Sequence, residues 1–358
     1  MSKLIVCMGT LLTGGAERVL SSLSFAFADA YDEVEYLLWL PSSEISYPID
    51  PRVKITSVIE ESGSEKRWKQ AWWFRQKVKR ERPTMILSFM LMINYTVLLS
   101  LFGLRCNVVV SERNDPRRFR RGQRFRNRIY WLYGRNNVKG IVMQTENNRG
   151  LLPEYLHHKA TVIYNPINIP KKAIGMGLRT EKKNLIVSVG RLVSQKRHDL
   201  LIQAFAKFHN QYPDYRLVIY GAGGNCDRLQ AMVKDLNLED RVSLPGKTSN
   251  VPEAIAGAKM FVLSSAFEGM SNALLEAMAI GIPCISTRVS GSTDLIEDHV
   301  NGLLVDVYDV DGIAEAMEYI ASHPEEANIF AEKAHHVMDD LNVTRISKIW
   351  VDYLRQLS

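Results

Sequence analysis

Cysteine is scarce in this 358-residue chain, and the four present, Cys7, Cys106, Cys226 and Cys284, form no CxxC pair and no metal-ligand spacing. That excludes a disulfide-stapled scaffold or a zinc ribbon and leaves four buried, reduced thiols of a cytoplasmic protein. The first residues, MSKLIVCMGT, run straight into a strand pattern with no basic stretch, apolar core and cleavage site, so no secretion signal is expected. There is no low-complexity tract and no short repeat. Long apolar runs are also rare: Met85 to Leu104 is twenty residues without a charge. Ser88, Asn94, Tyr95, Thr96 and Ser100 interrupt it, and it divides into a strand, MILSFM, and a helix from near Asn94 instead of a membrane span. The dinucleotide fingerprint GxGxxG is missing, which gives dinucleotide binding little support.

What is present is the composition of a folded, soluble protein, 46% apolar and 23% charged. The length suggests two domains. Short β-branched runs (KLIVCM, EVEYLLW, VKITSV, TMILSF, CNVVVS, GIVMQT, ATVIYN) alternate with helical stretches such as Ala16 to Ala28. The rhythm resumes with NLIVSVG, YRLVIYG, RVSLPG, KMFVLSS and PCISTR, which predicts α/β architecture with parallel sheets covered on both faces. Asn165-Pro166 and Pro170, followed by Gly175 and Gly177, break all periodicity near Tyr164–Ile174. The expected division is therefore 1–168 and 169–342, with a C-terminal helix over 343–358 packing back on the first domain and a cleft between the two.

Three loops carry the chemistry. After the first strand, Thr13-Gly14-Gly15-Ala16-Glu17-Arg18 opens a helix, where glycines admit a ligand to the backbone and amides at a helix start attract phosphate. A plain strand-to-helix turn fits the same residues. After NLIVSVG come Arg191 and Lys196, a guanidinium and an ammonium five residues apart that can converge on a diphosphate. The third loop, Phe267-Glu268-Gly269-Met270-Ser271-Asn272-Ala273, leads into a helix from about Ser271 that contains Glu276. One carboxylate before the helix and one inside it, separated by seven residues, can hold sugar and ribose hydroxyls on either side of a phosphate bound at the helix start. A buried, backbone-bonded carboxylate is the alternative for Glu276.

Together these pieces resemble the GT-B glycosyltransferases of family 4, the glycosyl transferases group 1, over essentially the whole chain. The resemblance rests on TGGAER, GRLVSQK, YGAGG, PGKTSNVPE and the Glu-x7-Glu of EGMSNALLE. It implies two doubly wound domains and a nucleotide-diphosphate sugar, UDP-linked, as donor. It implies that Gly14 and Gly15 meet the diphosphate, that Arg191 and Lys196 bind its oxygens, and that Glu268 contacts the donor sugar. The amides of Gly269, Met270, Ser271, Asn272 and Ala273 would line the sugar and β-phosphate, and Glu276 the ribose. Gly223 and the Gly246–Glu253 stretch, with Val251, would border the base. It also implies a retaining reaction without a metal, the Arg/Lys pair and the helix dipole taking a cation's part. Asp309-Val310-Asp311 reads as a helix cap rather than a metal site. Many relatives have a histidine where this chain has Ser111-Glu112-Arg113-Asn114; Glu112 and Arg113 are candidate site residues there.

Charge is uneven: residues 1–168 carry 25 basic against 15 acidic side chains, and 169–358 carry 20 against 24. Nine arginines lie between Arg113 and Arg135, interleaved with Phe119, Phe125, Tyr130, Trp131 and Tyr133. Arg121, Arg124, Arg128 and Arg135 share one helical sector, and Phe125, Ile129 and Leu132 the next. A second basic stretch, Lys66 to Arg82, holds Trp68, Trp72 and Trp73. Both suit an anionic membrane surface or a polyprenyl-diphosphate-linked acceptor lying in it; a solvated helix whose aromatic side packs on the sheet is the plainer reading. No nucleic-acid motif accompanies the charge. The expectation is a cytoplasmic hexosyl- or N-acetylhexosaminyltransferase, peripheral on the inner face of the plasma membrane and acting in surface-glycan assembly. A nucleotide-sugar epimerase of the same fold and a non-catalytic basic scaffold are the rivals.

Overall fold

The β-branched runs form two parallel sheets, one in each of two units. A computed structural model describes residues 2–12, 14–40, 45–113, 115 and 122–358. The first unit comprises Met1–Pro166 with Leu341–Ser358, and the second Ile167–Asp340.

Seven strands build the first sheet: β1 (Lys3–Met8), β2 (Glu33–Leu38), β3 (Lys54–Ser57), β4 (Met85–Phe89), β5 (Val108–Ser111), β6 (Val138–Met143) and β7 (Ala160–Val162), in the order β3-β2-β1-β4-β5-β6-β7. Their interiors are continuous apolar runs because helices cover both faces; Leu4 to Cys7 and Val108 to Val110 are wholly buried. The second sheet has β8 (Lys183–Val189), β9 (Arg216–Tyr220), β10 (Val242–Gly246), β11 (Ala258–Leu263), β12 (Cys284–Thr287) and β13 (Leu303–Val305), in the order β10-β9-β8-β11-β12-β13. β13, a run of only three residues, has no counterpart among the strands expected from the sequence. It pairs with β12 from Leu303 to Val305, and a three-residue strand carries too little periodicity to be seen alone.

The long uncharged run becomes β4 followed by helix Leu91–Ser100, which starts three residues before the expected Asn94. Met90, with φ of 76°, turns the chain at once, and its amide bonds the Ser111 carbonyl at 3.0 Å. Among the described residues no helix is long and apolar enough to cross a membrane.

Helix Val343–Gln356 begins on Asn342, whose side chain accepts from the Arg345 amide at 2.9 Å. It packs against helix Gly15–Ala30 of the first unit. Its apolar stripe, Ile346, Trp350 and Leu354 at four-residue spacing, is buried, and Arg355 donates to the Ala30 carbonyl at 2.6 Å.

Candidate active site

Each sheet reverses its strand order once, and the loops beyond the carboxyl ends at such a switch point are where open α/β folds bind ligands. In the second unit the reversal falls between β8 and β11. The loop after β8 supplies Arg191 and Lys196, and the loop after β11 supplies Glu268 to Ala273.

These two loops are tied together. Lys196 pairs with Glu268 at 2.6 Å, both side chains only about one-tenth exposed. Ser265 donates to the same carboxylate at 2.9 Å. The Ala266 amide bonds the Gln195 carbonyl at 2.8 Å, the Gln195 side-chain amide donates to the Phe267 carbonyl at 2.9 Å, and Ser264 donates to the Lys196 carbonyl at 2.9 Å. A largely desolvated ion pair holds its geometry through such supporting bonds, because removing one partner strands the other charge. Arg191 is exposed at the same loop. The adjacent His198 is buried, and burial with the Lys196 charge nearby takes its pKa down to about 3, so its ring stays neutral.

The turns after β9 and β10 join from the other side. The Leu192 amide bonds the Ala222 carbonyl at 3.0 Å, the Asn225 amide the Leu192 carbonyl at 3.0 Å, and the Gly221 amide the Gly246 carbonyl at 2.8 Å. Gly223 lies so close that a Cβ there would be 2.4 Å from the Leu192 carbonyl oxygen, and Gly246 has φ of 88°. No side chain fits the first position, and few tolerate the second. Val251 starts the short helix Val251–Ile255 that follows.

Helix Asn272–Ile280 begins on Ser271, whose hydroxyl accepts from the Leu274 amide at 3.4 Å. Gly269, Met270 and Ser271 are buried, Asn272 and Ala273 half-buried, and Glu276 is buried within the helix. Two supports escaped the sequence reading. Thr287, at the end of β12, donates to the Ser265 carbonyl at 2.7 Å. Gly291 faces the Gly269–Met270 backbone, where a Cβ would stand 2.2 Å from the Gly269 oxygen. Neither lies in a recognisable motif; the SGS of Ser290-Gly291-Ser292 is the faint signal. The DxD motif is a cap: Asp309 accepts from the Gly312 amide at 2.8 Å, and Asp311 pairs with Lys207.

In the first unit the order reverses between β1 and β4. Gly14 is half-buried and Gly15 exposed where helix Gly15–Ala30 begins after β1; Thr13 of that loop lies outside the described residues. Glu112 and Arg113 follow β5 and are both buried. Glu112 accepts from Tyr133, whose hydroxyl also accepts from the Asn94 amide at 3.1 Å; burial raises the Glu112 pKa to about 7 despite these bonds. Arg113 lies over the rings of Phe89, at 4.5 Å, and Trp350, at 5.3 Å, and donates through Nη1 to Asn165 at 3.1 Å.

Of the arginine-rich segment, Asn114 and residues 116–121, including Arg121, lie outside the described residues. Helix Gly122–Tyr133 exposes Arg124 and Arg128 and buries Ile129 and Leu132, while Phe125 meets Tyr95 edge-on at 5.1 Å. Arg135 follows the helix and covers Phe102 at 4.9 Å and Trp131 at 5.3 Å. In helix Arg67–Glu81, Trp68 and Trp72 are 67% and 63% exposed, one turn apart, whereas Trp73 is half-buried.

A switch point that gathers cationic side chains, a carboxylate and a helix start suits a ligand that carries phosphate, and with the likenesses that follow the chain is a nucleotide-sugar-dependent glycosyltransferase of GT-B fold. The model of the glycosyl transferases group 1 family matches residues 172–337, within the second unit. Over 377 aligned residues the chain is 29% identical to a Campylobacter jejuni N-acetylgalactosamine-N,N'-diacetylbacillosaminyl-diphospho-undecaprenol 4-alpha-N-acetylgalactosaminyltransferase, covering 99% of this chain and 100% of that one. A second C. jejuni enzyme, an alpha-1,4-N-acetyl-D-galactosaminyltransferase acting on GalNAc-alpha-(1->4)-GalNAc-alpha-(1->3)-diNAcBac-PP-undecaprenol, is 25% identical over 100% of this chain and 99% of its own. Among solved structures, Anabaena HepE in complex with UDP and glucose matches with a TM-score of 0.82 at 18% identity, covering 99% of this chain and 100% of that one.

Proposed function

We propose that the chain transfers a hexose or N-acetylhexosamine from a UDP-sugar to a polyprenyl-diphosphate-linked glycan, with retention at the anomeric carbon and without a metal. The observation that carries the reading is the Lys196–Glu268 pair, held between the two loops of the second unit's switch point. Lys196 and Arg191 neutralise the departing diphosphate, the start of helix Asn272–Ile280 receives its β-phosphate, and Glu268 orients the donor sugar. Glu276 takes the ribose hydroxyls. Gly14 and Gly15 approach the diphosphate through the backbone, and Gly223, Gly246 and Val251 border the base. A preorganised cation acts where negative charge develops, which is the work a bound divalent ion would otherwise do.

The names of the two C. jejuni relatives, both undecaprenyl-diphosphate glycan transferases, support the acceptor, and the UDP held by HepE supports the donor. Exposed Trp68, Trp72 and Trp131 beside exposed Lys66, Arg67, Lys69, Arg124, Arg128 and Arg135 support attachment to an anionic membrane from the cytoplasmic side. The test is a screen of radiolabelled UDP- and GDP-sugars against lipid extract of the native membrane. Transfer to lipid from a UDP-sugar is expected, with loss of about a hundredfold or more in Lys196→Ala. Full activity of that variant, or turnover of the donor with no lipid present, would overturn the reading.

A further inference from the structure

Arg113 is 6% exposed, yet it has no acidic partner among the described residues, and neither Nε nor Nη2 has a hydrogen-bond partner there. Its neighbour Glu112 is committed to Tyr133. Burial pulls the Arg113 pKa down only to about 9, so the group keeps its charge at neutral pH. A buried cation that is neither paired nor fully hydrogen-bonded opposes folding and persists where a ligand supplies the missing anion.

The surroundings fit an anion. Phe89 ends β4, Arg113 follows β5, Gln144 follows β6 and Asn165 follows β7, so four neighbouring strands deliver them to one carboxyl edge. Asn165 Oδ1 accepts from Arg113 Nη1 at 3.1 Å and from Gln144 Nε2 at 2.9 Å. Phe89 and Trp350, 5.7 Å apart, form the platform under the guanidinium, and Trp350 is brought there by the chain's final helix. A planar guanidinium resting on rings keeps its edge for bidentate bonds to phosphate.

We propose that Arg113 is a diphosphate-binding residue of the first unit and that Trp350 is its positioning residue, so that helix Val343–Gln356 completes the site. The inference rests on the glycosyltransferase reading. Donor and lipid-linked acceptor both carry a diphosphate, and the test separates them.

Calorimetric titration of the full chain with UDP and with geranyl diphosphate, in the wild type, Arg113→Met, Trp350→Phe, Trp350→Leu and Lys196→Ala, decides the matter. Arg113→Met should weaken one of the two ligands by tenfold or more. Loss confined to UDP names the donor, and loss confined to geranyl diphosphate names the acceptor. Trp350→Leu should reproduce part of that loss and Trp350→Phe restore most of it, while melting temperature without ligand stays at or above the wild-type value in Arg113→Met. Unchanged affinity for both ligands in Arg113→Met, or a melting temperature well below wild type, would overturn the proposal. Lys196→Ala reports on the second unit: lost UDP binding there with an intact Arg113 effect keeps the two readings distinct.

Discussion

Gly291→Ala tests how closely the donor loop is held. A Cβ at Gly291 would lie 2.2 Å from the Gly269 carbonyl oxygen and 2.7 Å from Met270 Cα. Both are backbone atoms, so no side chain can swing away, and ordinary contact requires a displacement of about 1 Å. Overpacking of this kind costs about 1–3 kcal/mol of stability, and in a unit of this size each kcal/mol lowers the melting temperature by about 2–4 °C. The larger effect falls on catalysis, because the displaced segment, Gly269–Met270, adjoins Glu268 and the start of helix Asn272–Ile280. A misplacement of about 1 Å in a positioned group costs about a hundredfold in rate. Steady-state kcat/KM for sugar transfer, measured beside the melting temperature, should fall by about that factor in a chain that remains folded at the assay temperature. Gly150→Ala is the control, since nothing lies within 4 Å of its Cβ position. A Gly291→Ala enzyme within twofold of wild-type kcat/KM would refute the idea that this glycine fixes the loop.

Two further outcomes are expected. Burial raises the Glu112 pKa from 4.5 to about 7, so its contribution to stability is complete below about pH 4.5 and is lost as pH rises through 7. Glu112→Gln stays neutral throughout, and in urea unfolding it should gain on the wild type by up to ~3 kcal/mol between pH 5 and pH 8.5, at ~1.4 kcal/mol per pKa unit; a difference that does not grow with pH would contradict this. Replacing Trp68, Trp72 and Trp131 by alanine should leave the melting temperature almost unchanged, since all three are more than half exposed, and should weaken flotation with phosphatidylglycerol vesicles. Undiminished flotation would exclude these rings from membrane contact.

Much of the second unit could be read from the sequence because its signals are local. The helix expected from about Ser271 begins on that residue. Asp309 is the same case. The runs MILSFM and KMFVLSS announced β4 and β11 through their composition. What escaped depends on contacts distant in sequence: the Ser265 carbonyl waits for Thr287, and Gly291 matters only because Gly269 lies against it. No window of ten or fifteen residues contains either pair. β13 escaped for the opposite reason, being too short for any period to develop.

Net charge was the least transparent feature, because it counts residues that do different things. Lys77, nominally part of a basic face, is buried and bonds Glu35 and Glu81 at 2.9 Å each, and Lys3 meets Glu81 at 2.9 Å and Glu35 at 3.4 Å. Glu35 is itself wholly buried, so these lysines stabilise a carboxylate of the sheet and contribute little to the field outside. Arg75 is occupied with the Ser100 and Phe102 carbonyls at 3.0 and 2.7 Å, closing the end of helix Leu91–Ser100. Arg113 is buried on its aromatic platform. Among the described residues, exposed cations on the outer sides of helices Arg67–Glu81 and Gly122–Tyr133 stand beside exposed tryptophan and are free to face an anionic surface. Arg113 apart, whose proposed ligand is a diphosphate, the basic segments divide by burial into charges that hold the sheet together and charges that can meet a membrane, and only the second group should make binding to vesicles sensitive to salt.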